Sequence, residues 1–496
     1  MTPLSKSNSR FTGRLLKMLV NEGIEMETPP PGLAEEFHTL FSSDALTFLC
    51  ELISTFQPEV DKVLKLRILR KVQLDLTGGL PVFPKDTAHI RNDPGWRVSP
   101  VPHRLHCRHV DVGDLSPCDT QRFIQGLKST AQGLQVDFDD GNCPTYHNQI
   151  KGIYNVYQAV HNQFPDVPPI AQAPVLMLRP RAWNMVEHNM MVYGREVPGP
   201  LFDFGLLMFH NAKLLLQNQS GPFFYLSKLG LPAGSIKATV LIECVLASFE
   251  MEEILYELKE HSAGLNCGIW DYSASFVNKF GPRADFLLPD RSKLKLLEIK
   301  AGVDGFMVYD MDLIEPMQKL FQLQYPDQNQ LLQLRDDVTV TPEDLLVMPA
   351  GGVTLYGLRY NIAVGVLFIE AWLSGRGHFF YLGKVEDSAT AEISRSQVWQ
   401  WIRHQVRLED SGTLVTRALV RGLAEDLMGD LKAAINCQTS RDEQRLMTAV
   451  SMFLEIVQKN DFPEFLTTYL NLDHTFLSFQ NQHEKKHTNK GPKARL

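Results

Sequence analysis

Apolar and polar positions change rhythm along this chain, and each rhythm predicts a different kind of element. Up to about residue 75 the apolar positions recur at helical spacing: Ala45, Phe48, Leu49, Leu52 and Phe56, then Val60, Val63, Leu64 and Ile68. Such spacing gives a helix one apolar face. Pro29-Pro-Pro-Gly32 breaks the segment early. Between Leu80 and Pro102, prolines at 81, 84, 94, 100 and 102 predict a wrapping stretch without regular structure.

From about residue 130, short unbroken apolar runs alternate with amphipathic stretches. Strands are predicted at Leu134–Phe138, Val175–Leu178, Ala238–Ile242, Leu265–Cys267, Gly305–Val308 and Phe379–Leu382. Ala247, Met251, Ile254, Leu255 and Leu258 share a helical face, with Gly264 as the stop. Thr341-Pro-Glu-Asp344 predicts another helix start. Strands covered on both faces by intervening helices imply a parallel sheet. The α/β fold expected is a TIM-like (β/α)8 barrel, with its site at the carboxyl ends of the strands.

Beyond Ser394 the pattern is helical throughout. Ser394-Arg-Ser-Gln397 and Ser440-Arg-Asp-Glu443 read as helix starts, and Leu419, Leu423, Leu427 and Leu431 form an i, i+4 stripe. The expected organisation is a helical clasp over 1–78, the barrel over 79–385, a helical plug over 386–480 and a flexible basic tail over 481–496.

The 496 residues are 44% hydrophobic and 21% charged, as expected of a globular chain with two or three folding units. A net charge of −8 argues against a nucleic-acid binder, and no apolar run reaches membrane-spanning length. The seven cysteines show no Cys-x-x-Cys spacing, which suggests reduced thiols.

Candidate chemistry sits at the ends of the predicted strands. Glu243 closes the run Ile236–Glu243, and Asp271 comes just past the next short run, within Ile269-Trp-Asp-Tyr272. Acids at two neighbouring strand ends suit a hard divalent cation, which prefers oxygen ligands and keeps waters. Taken alone, a strand-end glutamate is more often a solvated acid. Arg179 ends a strand in Leu178-Arg-Pro-Arg181, where an arginine commonly pairs with an acid. Glu386-Asp387 precedes a helix, where acids favour the N-terminal end of the dipole.

These segments together resemble the malate synthase family. The resemblance is carried by Thr239-Val-Leu-Ile-Glu243, Trp270-Asp-Tyr272, Leu178-Arg-Pro-Arg181, Pro198-Gly-Pro-Leu-Phe-Asp-Phe-Gly205 and Val385-Glu-Asp-Ser-Ala-Thr-Ala-Glu-Ile-Ser394. It implies that Glu243 and Asp271 hold Mg2+, that Asp387 is the general base and that Arg179 stabilises the developing enolate. It also marks Arg179, Trp270, Asp271 and Asp139 as substrate-binding, and places Thr354–Ile362 near the coenzyme A side. The implied reaction is a condensation of acetyl-CoA with glyoxylate and water to give malate and CoA.

Two pieces of the family pattern are missing. After Tyr225-Leu-Ser-Lys228 a stretch of about helix length is lacking. After Pro289-Asp-Arg-Ser292 a strand–helix unit with a Gly-Gly-Met-Ala-Ala strand is absent, and the family's Trp-Val-Ala-His-Pro reads Met307-Val-Tyr-Asp-Met311. The barrel is therefore expected to be incomplete, and a catalytically impaired scaffold or binding protein is the alternative to an active enzyme. Another acyl-CoA lyase on the same barrel is a third reading. Ala494-Arg-Leu496 resembles a peroxisomal address that an import receptor reads; Lys6, Arg10, Arg14 and Lys17 offer a mitochondrial alternative.

Overall fold

The computed structural model describes residues 18–19, 23–226, 236–294, 303–333 and 335–470. The basic residues before Met18, the Lys228 junction and the tail with Ala494-Arg-Leu496 lie outside them. Seven parallel strands form one curled sheet: β1 Val110–Leu115, β2 Gly133–Asp137, β3 Val175–Arg179, β4 Phe223–Leu226, β5 Lys237–Ile242, β6 Ser262–Cys267 and β7 Phe306–Val308. Their spatial order is β6-β5-β4-β3-β2-β1-β7, all in parallel pairs.

Among the described residues this is an incomplete TIM-like barrel. β7 pairs with β1 and β6 with β5, but among the described residues β6 and β7 do not meet. Between Cys267 and Phe306 the described residues contain helices and turns and no strand. The opening falls where the sequence lacks the Gly-Gly-Met-Ala-Ala unit. Burial changes toward the seam: every residue of β2, β3 and β4 is buried, whereas β6 is mostly half-exposed and ends in an exposed Cys267.

The outward faces of the strands supply Leu134, Val136, Leu176, Leu178 and Phe224 to the largest core. Inside the barrel a smaller core joins Leu105, Val175, Met177, Phe223 and Tyr225, with Leu241, Ala263 and Met307 packed against it. Arg108 crosses the barrel interior, pairing with Asp111 on β1 and donating from Nη1 to Thr239 Oγ1 on β5 at 3.1 Å.

The principal helices are α1 Ser43–Thr77, α2 Tyr146–Val160, α3 Gly199–Gln217, α4 Ile269–Phe280, α5 Leu355–Leu373, α6 Ser388–Arg403 and α7 Ser440–Gln458. α2 and α3 cover the closed arc of the sheet, and α1 lies on α3. α5, α6 and α7 form a second core around Trp372, Trp401 and Phe453. That core is the helical plug.

Several expectations change. The clasp is not wholly helical: Ile24–Met26 pairs with Val186–Val192 in an antiparallel sheet that also holds Arg195–Pro198. Phe379–Tyr381 pairs with Lys384–Glu386 as a hairpin, outside the barrel. β1 and β4 are not predicted by the pattern, because Asp111, Gly113 and Asp114 interrupt one apolar run and β4 has only four residues. Gly264 lies within β6 at a φ of +132°, and the preceding helix has already ended at Leu258. The Thr341 motif makes only a short 3-10 turn, Asp344–Leu346. α6 starts at Ser388, six residues before the predicted cap, and α7 is capped by Thr439 with Asp442.

The start of α6 is decided by a stronger local signal. Asp387 accepts from Thr390 N at 2.9 Å, and Thr390 Oγ1 accepts from Asp387 N at 2.9 Å. This reciprocal cap satisfies two otherwise orphaned N–H groups. Ser394 is left inside the helix, donating to Thr390 O at 2.7 Å.

Candidate active site

Arg179 is the last residue of β3, and its guanidinium lies buried at the barrel mouth. Four carboxylates surround it: Asp114 at 3.5 Å, Asp137 at 3.2 Å, Asp139 at 3.3 Å and Asp140 at 3.1 Å. Burial opposes the charge on Arg179, but the carboxylates outweigh it and hold its pKa well above the ordinary value; Glu243 adds to their field. Sequence reasoning names Arg179 and Asp139, includes Asp137 and Asp140 only as parts of the strand-end segment Val136–Asp140, and misses Asp114. The alternating His109-Val-Asp-Val112 is the available signal for β1, and so for Asp114 near its end.

The loop after β2 is shaped by Asp137, which accepts from Asp139 N at 2.8 Å and Gly141 N at 3.0 Å. Asp139 in turn accepts from Ala182 N at 3.1 Å, tying the β2 loop to the β3 loop. The second arginine of the Leu-Arg-Pro-Arg segment has a different job. Arg181 is buried between Glu187 and Asp203, at 2.9 Å from each, and locks α3 to the β3 end.

Asp387 comes to this cluster from the plug. Ser388, its neighbour, donates to Asp140. Gly377 passes so close to the backbone of Asp140 that no side chain would fit. The Asp387 carboxyl is pushed upward by burial and by the charges of Asp140 and Glu386, while the Thr390 N–H bond pulls the other way. α6 holds this position through polar groups. Gln400 donates to Phe286 O and accepts from Leu288 N, Trp401 donates to Leu288 O, and Gln397 donates to Pro289 O.

Trp270 lies in the first turn of α4 and joins the same assembly. Arg291 stacks over its ring at 4.6 Å and pairs with Glu386 at 2.9 Å, next to Asp387. Tyr360 donates to Glu386 Oε1 at 2.5 Å and lines a cleft of about 500 Å³ with Tyr356, Arg359, Phe380 and Tyr381. The Thr354–Ile362 segment therefore borders both the cleft and the residue beside Asp387.

Glu243 and Asp271 lie past the ends of adjacent strands. Ile242 pairs with Cys267 across the β5–β6 ladder, so Glu243 and Gly268 are side by side. A Cβ on Gly268 would lie 3.2 Å from Glu243 Cγ; the glycine leaves room for that side chain. Asp271 is in the first turn of α4. Among the described residues no group of three or more His, Cys, Asp or Glu side chains is arranged to hold a metal. Two hard oxygen donors still fit magnesium, which completes its shell with water and substrate. Carboxylates outnumber guanidinium groups at this mouth, and a dication would offset that excess.

A parallel α/β barrel with an arginine, acids and a cleft gathered at the carboxyl ends of its strands has the form of a TIM-barrel enzyme. The profile described as "Malate synthase, TIM barrel domain" matches residues 175–230 and 227–296, and "Malate synthase, C-terminal" matches 352–473. Malate synthase from Dictyostelium discoideum is 34% identical, over 86% of this chain and 94% of the relative. Malate synthase A from Escherichia coli is 31% identical, over 87% and 95%. The glyoxysomal malate synthase of Cucumis sativus is 31% identical, over 87% and 91%. The chain belongs to the malate synthase family, a family of acyltransferases of the glyoxylate cycle. The Dictyostelium alignment spans 517 positions, more than this chain has residues, so the relative carries segments that are missing here.

Proposed function

We propose that this protein condenses acetyl-CoA with glyoxylate and water to give malate and free CoA, with Mg2+ as its metal. The observation that supports this most directly is the approach of the plug residue Asp387 to Arg179 of the barrel through Asp140, which pairs with Arg179 at 3.1 Å and accepts from Ser388, the residue after Asp387. Asp387 takes a proton from the acetyl methyl group. The enolate oxygen that forms is met by the Arg179 guanidinium, a rigid donor that keeps its charge at any working pH. The methyl carbon then bonds to the aldehyde carbon of glyoxylate as the C=O π pair moves to oxygen, which takes up a proton; water adds to the thioester carbonyl and the CoA thiolate leaves, giving malate and free CoA.

Glu243 and Asp271 would hold the magnesium ion, which would supply Lewis-acid polarisation of the aldehyde when bound. Asp139 and Trp270 border the substrate recess, and the Tyr356–Tyr360 cleft takes the coenzyme. The raised Asp387 pKa narrows the gap to the weakly acidic methyl group, and a general base works best in that direction. The name of the glyoxysomal relative supports a peroxisomal location, with the Ala494-Arg-Leu496 end as the address.

One observation favours a second reading. The sheet is open between β6 and β7, beside the proposed metal acids, as in a scaffold that has lost turnover. Glyoxylate-dependent thiol release from acetyl-CoA at millimolar magnesium separates the two. Release is expected from the native protein. Asp387→Asn should lower kcat by roughly 10²–10⁴-fold with magnesium-dependent glyoxylate binding retained in calorimetry. A folded native protein that releases no thiol would leave the scaffold reading.

A further inference from the structure

Val308, the last residue of β7, pairs with Val112 of β1, so the next residue, Tyr309, lies level with Gly113 at the barrel mouth. The following β1 residue, Asp114, pairs with Arg179 at 3.5 Å. Met307 packs inside the barrel, whereas Phe306 and Val308 join the outer core, so strand alternation turns the Tyr309 side chain to the inner side. The malate synthase pattern Trp-Val-Ala-His-Pro has alanine where this chain has Tyr309.

The phenol ring is clamped from two sides. Arg122, on the helix Thr120–Lys128, stacks over it at 4.0 Å and donates from Nη2 to Tyr309 O at 2.6 Å. From the segment that follows α5, His378 meets the ring at 5.1 Å between centroids and Phe380 at 6.1 Å, both edge-on. That segment runs from Gly377, pressed on the backbone of Asp140, to Phe380, which lines the cleft of about 500 Å³. Asp140 pairs with Arg179 at 3.1 Å. Residues 377–380 are therefore a wall between the cleft and the Arg179 recess, and Tyr309 is stacked against it.

Polar atoms in this stack are left over. Among the described residues, Tyr309 Oη, His378 Nδ1 and Arg122 Nε are each buried with no hydrogen-bond partner. Burying a polar atom unpaired is unfavourable, and three of them around one ring point to a second arrangement in which they are paired. Burial, with the charges of Arg122 and Arg376, holds the His378 imidazole down to about 4, so the ring is neutral and can accept as well as donate.

We propose that Tyr309 is a gate between cleft and recess, and that Tyr309, His378 and Arg122 pair with the amide-bearing arm of the acyl thioester when the ring turns aside to admit it. This rests on the reading of the cleft as the coenzyme's. A thioester that reaches from the cleft to Arg179 must cross residues 377–380, and the arm behind it carries amide groups. Their carbonyls accept from Tyr309 Oη and Arg122 Nε, and an amide N–H donates to His378 Nδ1. In the free protein the ring closes the passage, so the apparent affinity and association rate are lowered by the fraction of molecules that are open.

Calorimetry and stopped-flow fluorescence with CoA as the probe test this without turnover. Tyr309→Phe keeps the ring and loses the hydroxyl. It should bind CoA about 3- to 10-fold more weakly than native, the worth of one hydrogen bond, with magnesium-dependent glyoxylate binding unchanged. Its melting temperature without ligand should equal or exceed the native one, because an unpaired buried hydroxyl is removed. Tyr309→Ala takes the gate away, and CoA should associate on the order of 10-fold faster, as for a native open state populated at about a tenth or less. A Phe variant that binds CoA like native, or that melts well below it, overturns the proposal, and so does a native association rate in folded Tyr309→Ala. Either result, with native CoA binding intact, leaves the proposed reaction standing. The expected variant effects without glyoxylate-dependent thiol release count against the reaction alone, and a native protein that binds no CoA sinks both.

Discussion

Strands β2 to β4 and strand β6 belong to one sheet, yet they are supported in opposite ways. The closed arc is sandwiched: its outer residues pack under α2 and α3, and its inner residues meet Leu105 and Met307. β6 has a neighbour on one side and half-exposed side chains. The segment beyond β6, however, is well held. Ala274 and Val277 of α4 pack against Ile393 and Trp399 of α6, and α6 binds the backbone of Phe286, Leu288 and Pro289.

The barrel is open where a helical domain, not a neighbouring strand, supports the next element. Arg179 and Asp139 belong to the closed arc, Asp114 to the neighbouring β1, and Asp387 to the plug. Of the proposed site residues, Glu243, Trp270 and Asp271 stand on the seam side. An open sheet is therefore compatible with a site whose acid–base groups are carried elsewhere.

The largest effect should come from the closed arc. Arg181→Met leaves Asp203 and Glu187 buried without their counter-charge, and should cost about 3–5 kcal/mol in denaturant unfolding. A cost near zero would show that the arc is not the rigid side. An intermediate effect belongs to the plug contact. Gln400→Met strands Phe286 O and Leu288 N, an expected loss of about 1–3 kcal/mol. If α6 does support the seam, this variant should also weaken magnesium-dependent glyoxylate binding more than Arg181→Met does. The smallest effect is expected at Leu265→Ala on half-exposed β6, below about 1.5 kcal/mol, since little cavity is created at a partly solvated position. A loss of about 3 kcal/mol or more there, on the scale of a fully buried leucine, would mean that the seam is covered as tightly as the arc.

Much of the barrel is legible in residue order because β2 and β3 are largely apolar runs bounded by helices. Phe379–Leu382 has the same local look and joins a hairpin instead; a short apolar run does not encode which partner it will pair with. The start of α6 is misread because Arg395, Gln397 and Gln400 look like surface residues. They are buried there, satisfied by backbone carbonyls from other parts of the fold. Arg179, Glu243, Asp271 and Asp387 can be named because each sits in a contiguous segment with its own signature.

Residue order alone determined the kinds of element, the strand-end chemistry and the absence of a strand–helix unit after Ser292. Each of these is written within a few consecutive residues. Only the tertiary structure decided that the opening lies between β6 and β7, that Arg179 is ringed by four carboxylates, and that Ser388, beside Asp387, meets Asp140. Those facts join groups far apart along the chain. Their proximity comes from how the plug packs on the barrel, and no local pattern of apolar and polar positions carries that distance.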